Sequence, residues 1–280
     1  MTELRKKMIE DMVLRGFSEN TRMAYVHAVK MLARYYNTSP EKLSQKNIRD
    51  FFLHLVSKKK AARSTFMIYL SGIKFFFERT LSRKWEFFQL AKPKRRIKLP
   101  EVLSEEEVRK ILSCIKNPIL RMCSTLIYSC GLRVSEACNL KASDIDSRRM
   151  VVKIQNGKGG KDRLAPLPER TLTRLREYYH MQKPRGCLFP ANDGKKPVSR
   201  ITLHKMLKKA AKDSGIKKNV YPHTLRHSYA THLLENGISL QTIQNILGHT
   251  HLSTTYMYVH LTSKSIQDTV LTINKIMKDL

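Results

Sequence analysis

His223-Thr-Leu-Arg-His-Ser-Tyr-Ala-Thr-His-Leu-Leu-Glu-Asn-Gly237 follows Pro222, a residue whose fixed φ suits the first turn of a helix. With successive residues about 100° apart, Leu225, Tyr229 and Leu233 share one face, and His223, Arg226 and Ala230 lie together on an adjacent one. The first face can anchor the helix while the second brings an imidazole and a guanidinium to one spot. Downstream, Leu247-Gly-His249 reads as a helix end that exposes a second imidazole, and Tyr256 and Tyr258 follow. Metal-free attack on a phosphodiester needs these groups: a hydroxyl to attack, cations to hold the phosphate, and side chains to move protons.

Two points stay open at the level of residues. His223 and His227 have the i, i+4 spacing of zinc-binding helices, but Thr224 stands where the glutamate base of such a motif would be, and no third ligand is evident. Tyr256 and Tyr258 would lie about 200° apart on a helix, so they cannot share a pocket, and periodicity does not choose between them. No Lys, Arg, Asp or Glu occurs between Asn236 and Ser263, so this segment is expected to pack inside the protein.

The chain has 280 residues, 41% of them hydrophobic, enough for a sizeable core in one large or two ordinary domains. Its 53 Lys and Arg against 23 Asp and Glu leave a formal net charge of +30. Basic residues outnumber acidic ones by 18 to 8 up to Ala91 and by 35 to 15 beyond it, so both halves face a polyanion, with nucleic acid the best match. Cys114, Cys123, Cys130, Cys138 and Cys187 form no CxxC pair, which fits reduced thiols in a cytoplasmic protein rather than a disulfide framework. No apolar run is long enough to span a membrane, and no signal-like segment opens the chain.

The order of elements divides the chain into residues 1–91, a helical DNA-binding unit, 92–100, a linker, and 101–280, a catalytic unit ending in a helix. In the first, Ser18-Glu-Asn-Thr21 supplies cap residues for a helix carrying Tyr25, Ala28, Val29, Leu32 and Tyr36. Further helices are expected over Lys46 to Val56 and Ser64 to Thr80, the last with an aromatic core stripe. Lys58, Lys59, Lys60 and Arg63 precede it and are candidate phosphate contacts. The linker, with Lys94, Arg95 and Arg96 between prolines, should stay extended along a DNA backbone. Ser104 and Glu107 then form a capping box. Met150 to Ile154 and Arg163 to Leu167 alternate as strands around Asn156-Gly-Lys-Gly-Gly-Lys-Asp162, making the whole mostly α with a small β-hairpin, an α+β fold.

Arg133 and Glu136 sit in Gly131-Leu-Arg-Val-Ser-Glu136, just past a helix-ending glycine. Ser135 is the expected cap of the next helix, which puts Arg133 at an anion-attracting mouth. At the hairpin tip Lys158 is a mobile cation among glycines, with Lys161 and Arg163 as competing phosphate contacts.

The motifs GLRVSE, GKGGKDR, HTLRHSYATHLLENG and LGH…STTYMYVH resemble the tyrosine recombinases, closest in style to Xer-type recombinases and phage or integron integrases. Ser-Glu-Asn-Thr-Arg-Met-Ala-Tyr25 is similar to their N-terminal core-binding domain, so the resemblance spans nearly the whole chain. It implies a C-shaped clamp around double-stranded DNA, with no metal or nucleotide cofactor. It further implies Arg133 and Arg226 as phosphate clamps, Glu136 beside the first, Lys158 as general acid, His223 and His249 in the histidine positions, and Tyr258 as nucleophile. Tyr258 would form a 3′-phosphotyrosyl link, with His223 taking the phenolic proton. The family's mode of action implies a homo-tetramer on two inverted-repeat sites, with Ile266, Val270, Ile273 and Met277 on a helix able to dock on a neighbour. Two other readings compete: a type IB topoisomerase-like nicking-closing enzyme, and a DNA-binding protein without chemistry.

Overall fold

The computed structural model describes residues 2–84, 100–155, 162–191, 193–194, 196–249, 255–256 and 258–259. Lys94, Arg95 and Arg96 of the linker, Lys158 and Lys161 of the hairpin tip, and Ile266, Val270, Ile273 and Met277 lie outside them. The chain divides into two compact units, Met1–Ile97 and Lys98–Leu280.

The first unit packs helices α1 (Glu3–Leu14), α2 (Glu19–Tyr36), α3 (Gln45–Ser57) and α4 (Arg63–Phe75). Within the Ser18–Thr21 stretch it is Ser18 that caps α2, through a bond from the Thr21 N–H. Ser44 and Asn47 bond reciprocally to start α3, at 2.9 and 3.3 Å. Met8, Met12, Leu32, Ile48, Ile73, Phe76 and Phe77 are fully buried between the helices, each contributing roughly 1.5–3 kcal/mol by leaving water. The aromatic stripe of α4 is therefore core. Its α-helix ends at Phe75 rather than Thr80, and a π-helical turn covers Phe76–Thr80. Three consecutive phenylalanines span some 200° of a regular helix; at this junction Phe75, Phe76 and Phe77 are all buried.

The second unit begins with α5 (Glu105–Ser113), opened by the expected capping box: Ser104 N–H donates to Glu107 at 2.8 Å and Glu107 N–H to Ser104 Oγ at 3.1 Å. Then come α6 (Pro118–Ser129) and the short α7 (Val134–Cys138). Strands β1 (Ile145–Asp146), β2 (Val151–Ile154) and β3 (Arg163–Pro166) form an antiparallel sheet in the order β1-β2-β3, with Val152 opposite Ala165 and Ile154 opposite Arg163. Val152, Ile154 and Ala165 face the core. The pair β2–β3 is the hairpin read from alternation. Two-residue β1 is too short for alternation to reveal.

Helices α8 (Glu169–Gln182), α9 (Arg200–Asp213), α10 (Pro222–Glu235) and α11 (Leu240–Leu247) complete the described scaffold. Helix α10 packs on α6, α9 and α11 and is buried on more faces than a two-face reading allows: Thr224, Ser228 and Thr231 are enclosed with Leu225 and Ala230. Ser228 Oγ accepts the Leu103 N–H and donates to the Thr224 carbonyl, both at 2.9 Å, so that buried hydroxyl is satisfied. Among the described residues no helix is long and apolar enough to cross a membrane.

Candidate active site

Arg226 is the centre of the site. Its position in the first turns of α10 carries it inward, where only 3% of the residue is exposed. Its Nη1 donates to the Gly131 carbonyl, and its Nη2 to the Leu247 carbonyl at 2.6 Å. Both acceptors lie where α6 and α11 end, and helix ends leave carbonyls without intrahelical partners. The same Nη2 lies 3.2 Å from His249 Nε2. One buried guanidinium thus ties two helix ends to the imidazole that follows the second of them.

Glu136 holds the other cations. Its oxygens accept from Arg133 Nη1 at 2.8 Å and the Arg133 backbone N–H at 2.7 Å, and from Arg163 Nη1 and Nη2 at 2.8 and 2.7 Å. Arg226 Nη1 stands 4.0 Å away. Burial alone would raise this carboxyl, but the Arg163 and Arg133 bonds outweigh it and hold Glu136 at about 2. Two expectations change here. Arg133, not Ser135, is the N-cap of α7, because Glu136 reaches back to the Arg133 N–H. Arg163 was expected on a DNA backbone. Instead its side chain is 9% exposed, bidentate on Glu136, and donates through Nε to the Ile246 carbonyl at 2.9 Å, so it braces the site from β3.

Gly248 makes this close approach possible. It ends α11 with φ of +63°, and a Cβ there would lie 2.7 Å from Arg163 Cδ. Its carbonyl accepts from Arg133 Nη2 at 2.7 Å. Gly131, with φ of +61°, has the Tyr229 ring where a Cβ would be, at 2.5 Å.

The two tyrosines are sharply different. Tyr256 is 53% exposed and Tyr258 1%. Tyr258 packs in a small apolar cluster with Ala230, Ile243 and Leu247, edged by Tyr229, Leu233 and Leu234. Its Oη lies 3.0 Å from His227 Nδ1, and its ring stacks at 6.3 Å and 19° with His249, whose Nδ1 pairs with Thr255 Oγ1 at 2.9 Å. Burial pushes the Tyr258 phenol up to about 12, despite the opposing pull of Arg226 and Arg133. Burial, reinforced by His223 and Arg226, brings His227 down to about 4; burial with Arg226 and Arg133 brings His249 to about 3. Both rings are therefore neutral near pH 7. His223 is lowered by partial burial and then by Arg226 and Arg133, and it keeps an exposed position one turn before His227, their rings 6.3 Å apart.

Arg133, Glu136, Arg226, His249 and Tyr258 thus come together, with His223 at the opening of α10. Lys58, Lys59, Lys60 and Arg63 are exposed in the first unit. The phenol pairs with His227, not with His223 as expected. In the sequence, His227 stands out only as half of a potential zinc pair with His223. The available signal was helical spacing: His227, Ala230 and Leu234 fall on one face, the face that meets Tyr258.

A mostly helical scaffold with a small antiparallel sheet, and arginines gathered around one carboxylate beside a buried phenol, fit the class of DNA strand transferases. Comparison with known proteins agrees. The model of the phage integrase family matches residues 101–265, and that of the phage integrase N-terminal SAM-like domain residues 4–87. A tyrosine recombinase of Thermosipho africanus is 34% identical, over 92% of this chain and 94% of its own. Tyrosine recombinase XerA of Pyrococcus furiosus is 34% identical over 95% and 94%. Among solved structures, a XerA recombinase is 28% identical, covers 96% of this chain and 97% of its own, and has a TM-score of 0.57. A lambda integrase dimer bound to a core site shares the fold at a TM-score of 0.74 and 20% identity, over 92% and 94% of the two chains. The chain belongs to the phage integrase family and is a tyrosine-type site-specific DNA recombinase. DNA is its partner, and the topoisomerase-like and non-catalytic readings are not favoured.

Proposed function

We propose that Tyr258 attacks a DNA phosphodiester, forming a 3′-phosphotyrosyl bond and releasing a 5′-hydroxyl. The observation that carries this reading is the Tyr258 Oη lodged beside His227 and His249, with Arg226 bonded to His249. Three guanidiniums against one carboxylate leave the site at +2 with neutral imidazoles, a field that favours a phosphate and the extra charge of its transition state. Arg226 spends three of its five N–H donors on described residues and Arg133 two side-chain donors, so both retain donors for non-bridging oxygens. A bound phosphodiester brings a negative charge that by itself makes the Tyr258 phenol harder to ionise, so Arg226 and Arg133 must offset that charge.

In this reading Arg133 and Arg226 clamp the phosphate, Glu136 sets the clamp, His223 binds its oxygens, His249 beside Arg226 helps stabilise the charge of the transition state, and Lys158 delivers a proton to the departing 5′-oxygen. The ester bond is conserved in the phosphotyrosyl link, so a second 5′-hydroxyl can reverse the step without ATP or metal. Residues 1–91 and 101–280 act as two DNA-binding lobes joined by the basic stretch 92–100, with Lys58, Lys59, Lys60, Arg63, Lys94, Arg95, Arg96 and Lys161 on the backbone. Exchange proceeds in a homo-tetramer on two inverted-repeat sites, in the cytoplasm, where the five free cysteines stay reduced. The test is recombination between two plasmid-borne target sites recovered from DNA bound by the purified protein. Recombinant product, insensitive to a chelator, is expected. Relaxation of a one-site plasmid without exchange between two would contradict it.

A further inference from the structure

We infer that His227, rather than His223, receives the Tyr258 proton in strand cleavage and returns it on rejoining. The inference rests on Tyr258 being the nucleophile. The geometry is direct: His227 Nδ1 is 3.0 Å from Tyr258 Oη, within hydrogen-bond reach for proton transfer, and the two ring centroids are 5.7 Å apart. Among the described residues, the other imidazoles near the phenol are otherwise engaged or displaced. His249 meets Tyr258 face to face and has its Nε2 on Arg226 and its Nδ1 on Thr255. His223 lies one helical turn from His227, at the exposed start of α10.

The groups facing His227 keep it a neutral acceptor. They are His223 and Arg226 on its own helix, His249 beyond α11, and Tyr258 itself. A phenol that burial makes reluctant to ionise holds its proton, and with His227 in its Nε2–H tautomer the phenol donates that proton to Nδ1. During attack the Tyr258 Oη–P bond forms while the P–O5′ bond breaks. The phenolic proton passes to His227 Nδ1, and the 5′-oxygen takes its proton from the general acid. The imidazolium so formed is disfavoured beside Arg226. It is therefore ready to give the proton back to Tyr258 when a 5′-hydroxyl attacks the phosphotyrosyl bond, so one ring serves both directions. His223, exposed at the mouth of α10, is left to the phosphate.

The experiment is single-turnover cleavage of a nicked duplex bearing the target site, with ordinary and with 5′-bridging phosphorothiolate linkages, across pH 6 to 9. His227→Asn keeps an acceptor atom near the Nδ1 position but cannot hold a proton, and His227→Gln is the second variant. DNA affinity measured on the same preparations reports folding. Both variants should bind DNA within about 3-fold of wild type. Cleavage should slow by about 10²-fold or more and recover as pH rises, because hydroxide then removes the phenolic proton. The thiolate leaving group needs no acid, so it should rescue Lys158→Ala but leave the His227 variants slow. Wild-type rates in the His227 variants on both linkages, or a base-type defect that tracks His223→Asn instead, would overturn the inference. Adduct formation by Tyr258→Phe would instead overturn the nucleophile assignment on which it rests.

Discussion

Glu136 is the residue on which the arginines depend. Its carboxyl accepts four hydrogen bonds from Arg133 and Arg163 and stands at about 2 against an ordinary 4.5. The sign follows from linkage. A carboxyl depressed in the folded state stabilises fully above its unfolded pKa, and that stability is lost as pH falls through its folded one. Between pH 4.5 and 2 the protein should therefore lose about 3 kcal/mol from this group. Glu136→Gln should be less stable than wild type by a similar amount near pH 7, with the gap closing toward pH 2, measured by denaturant unfolding at several pH values. A pH-independent gap would mean that packing, not charge, is what Glu136 supplies. His227 and His249, buried neutral, act in the same direction at higher pH: their unfolded forms take up protons below about pH 6.5, which the folded forms resist.

At the scale of elements, the site is a meeting of ends: the end of α6, the first turn of α7, the start of β3, the first turns of α10 and the end of α11. Gly248 lets α11 stop against Arg163. Gly248→Ala should cost about 1–2 kcal/mol for the left-handed backbone alone, and displacing Arg163 should also lower cleavage, checked by thermal unfolding alongside adduct yield. By contrast, Ser104→Ala breaks a cap on α5 that does not touch these residues. It should cost about 1 kcal/mol and leave the cleavage rate of the folded protein unchanged. Much of this was legible in sequence, because caps, glycines and helical periodicity are local signals: the starts of α2, α5 and α10 and the β2–β3 hairpin all follow from them. Arg163 was not. Its partner is 27 positions away, and nothing within the hairpin marks an arginine as facing in rather than out. Tyr258 could be separated from Tyr256 only by resemblance, since burial of one and exposure of the other depend on tertiary packing.

For the whole molecule, +30 is a statement about the partner. Affinity for DNA should fall steeply with salt, each neutralised phosphate contributing about 0.9 to the log–log slope. Converting Lys58, Lys59, Lys60 and Arg63 to glutamine should flatten that slope by the number of contacts they make, and an unchanged slope would remove them from the interface. Such binding brings DNA to the enzyme, whereas in the proposed mechanism the chemistry depends on one buried phenol. The most direct test traps it: a nicked suicide duplex carrying the target site, denaturing electrophoresis, then mass mapping of the nucleotide-bearing peptide. Tyr258 should carry the DNA through its 3′-phosphate, with no adduct from Tyr258→Phe and a normal one from Tyr256→Phe. An adduct that survives in Tyr258→Phe and disappears in Tyr256→Phe would contradict it.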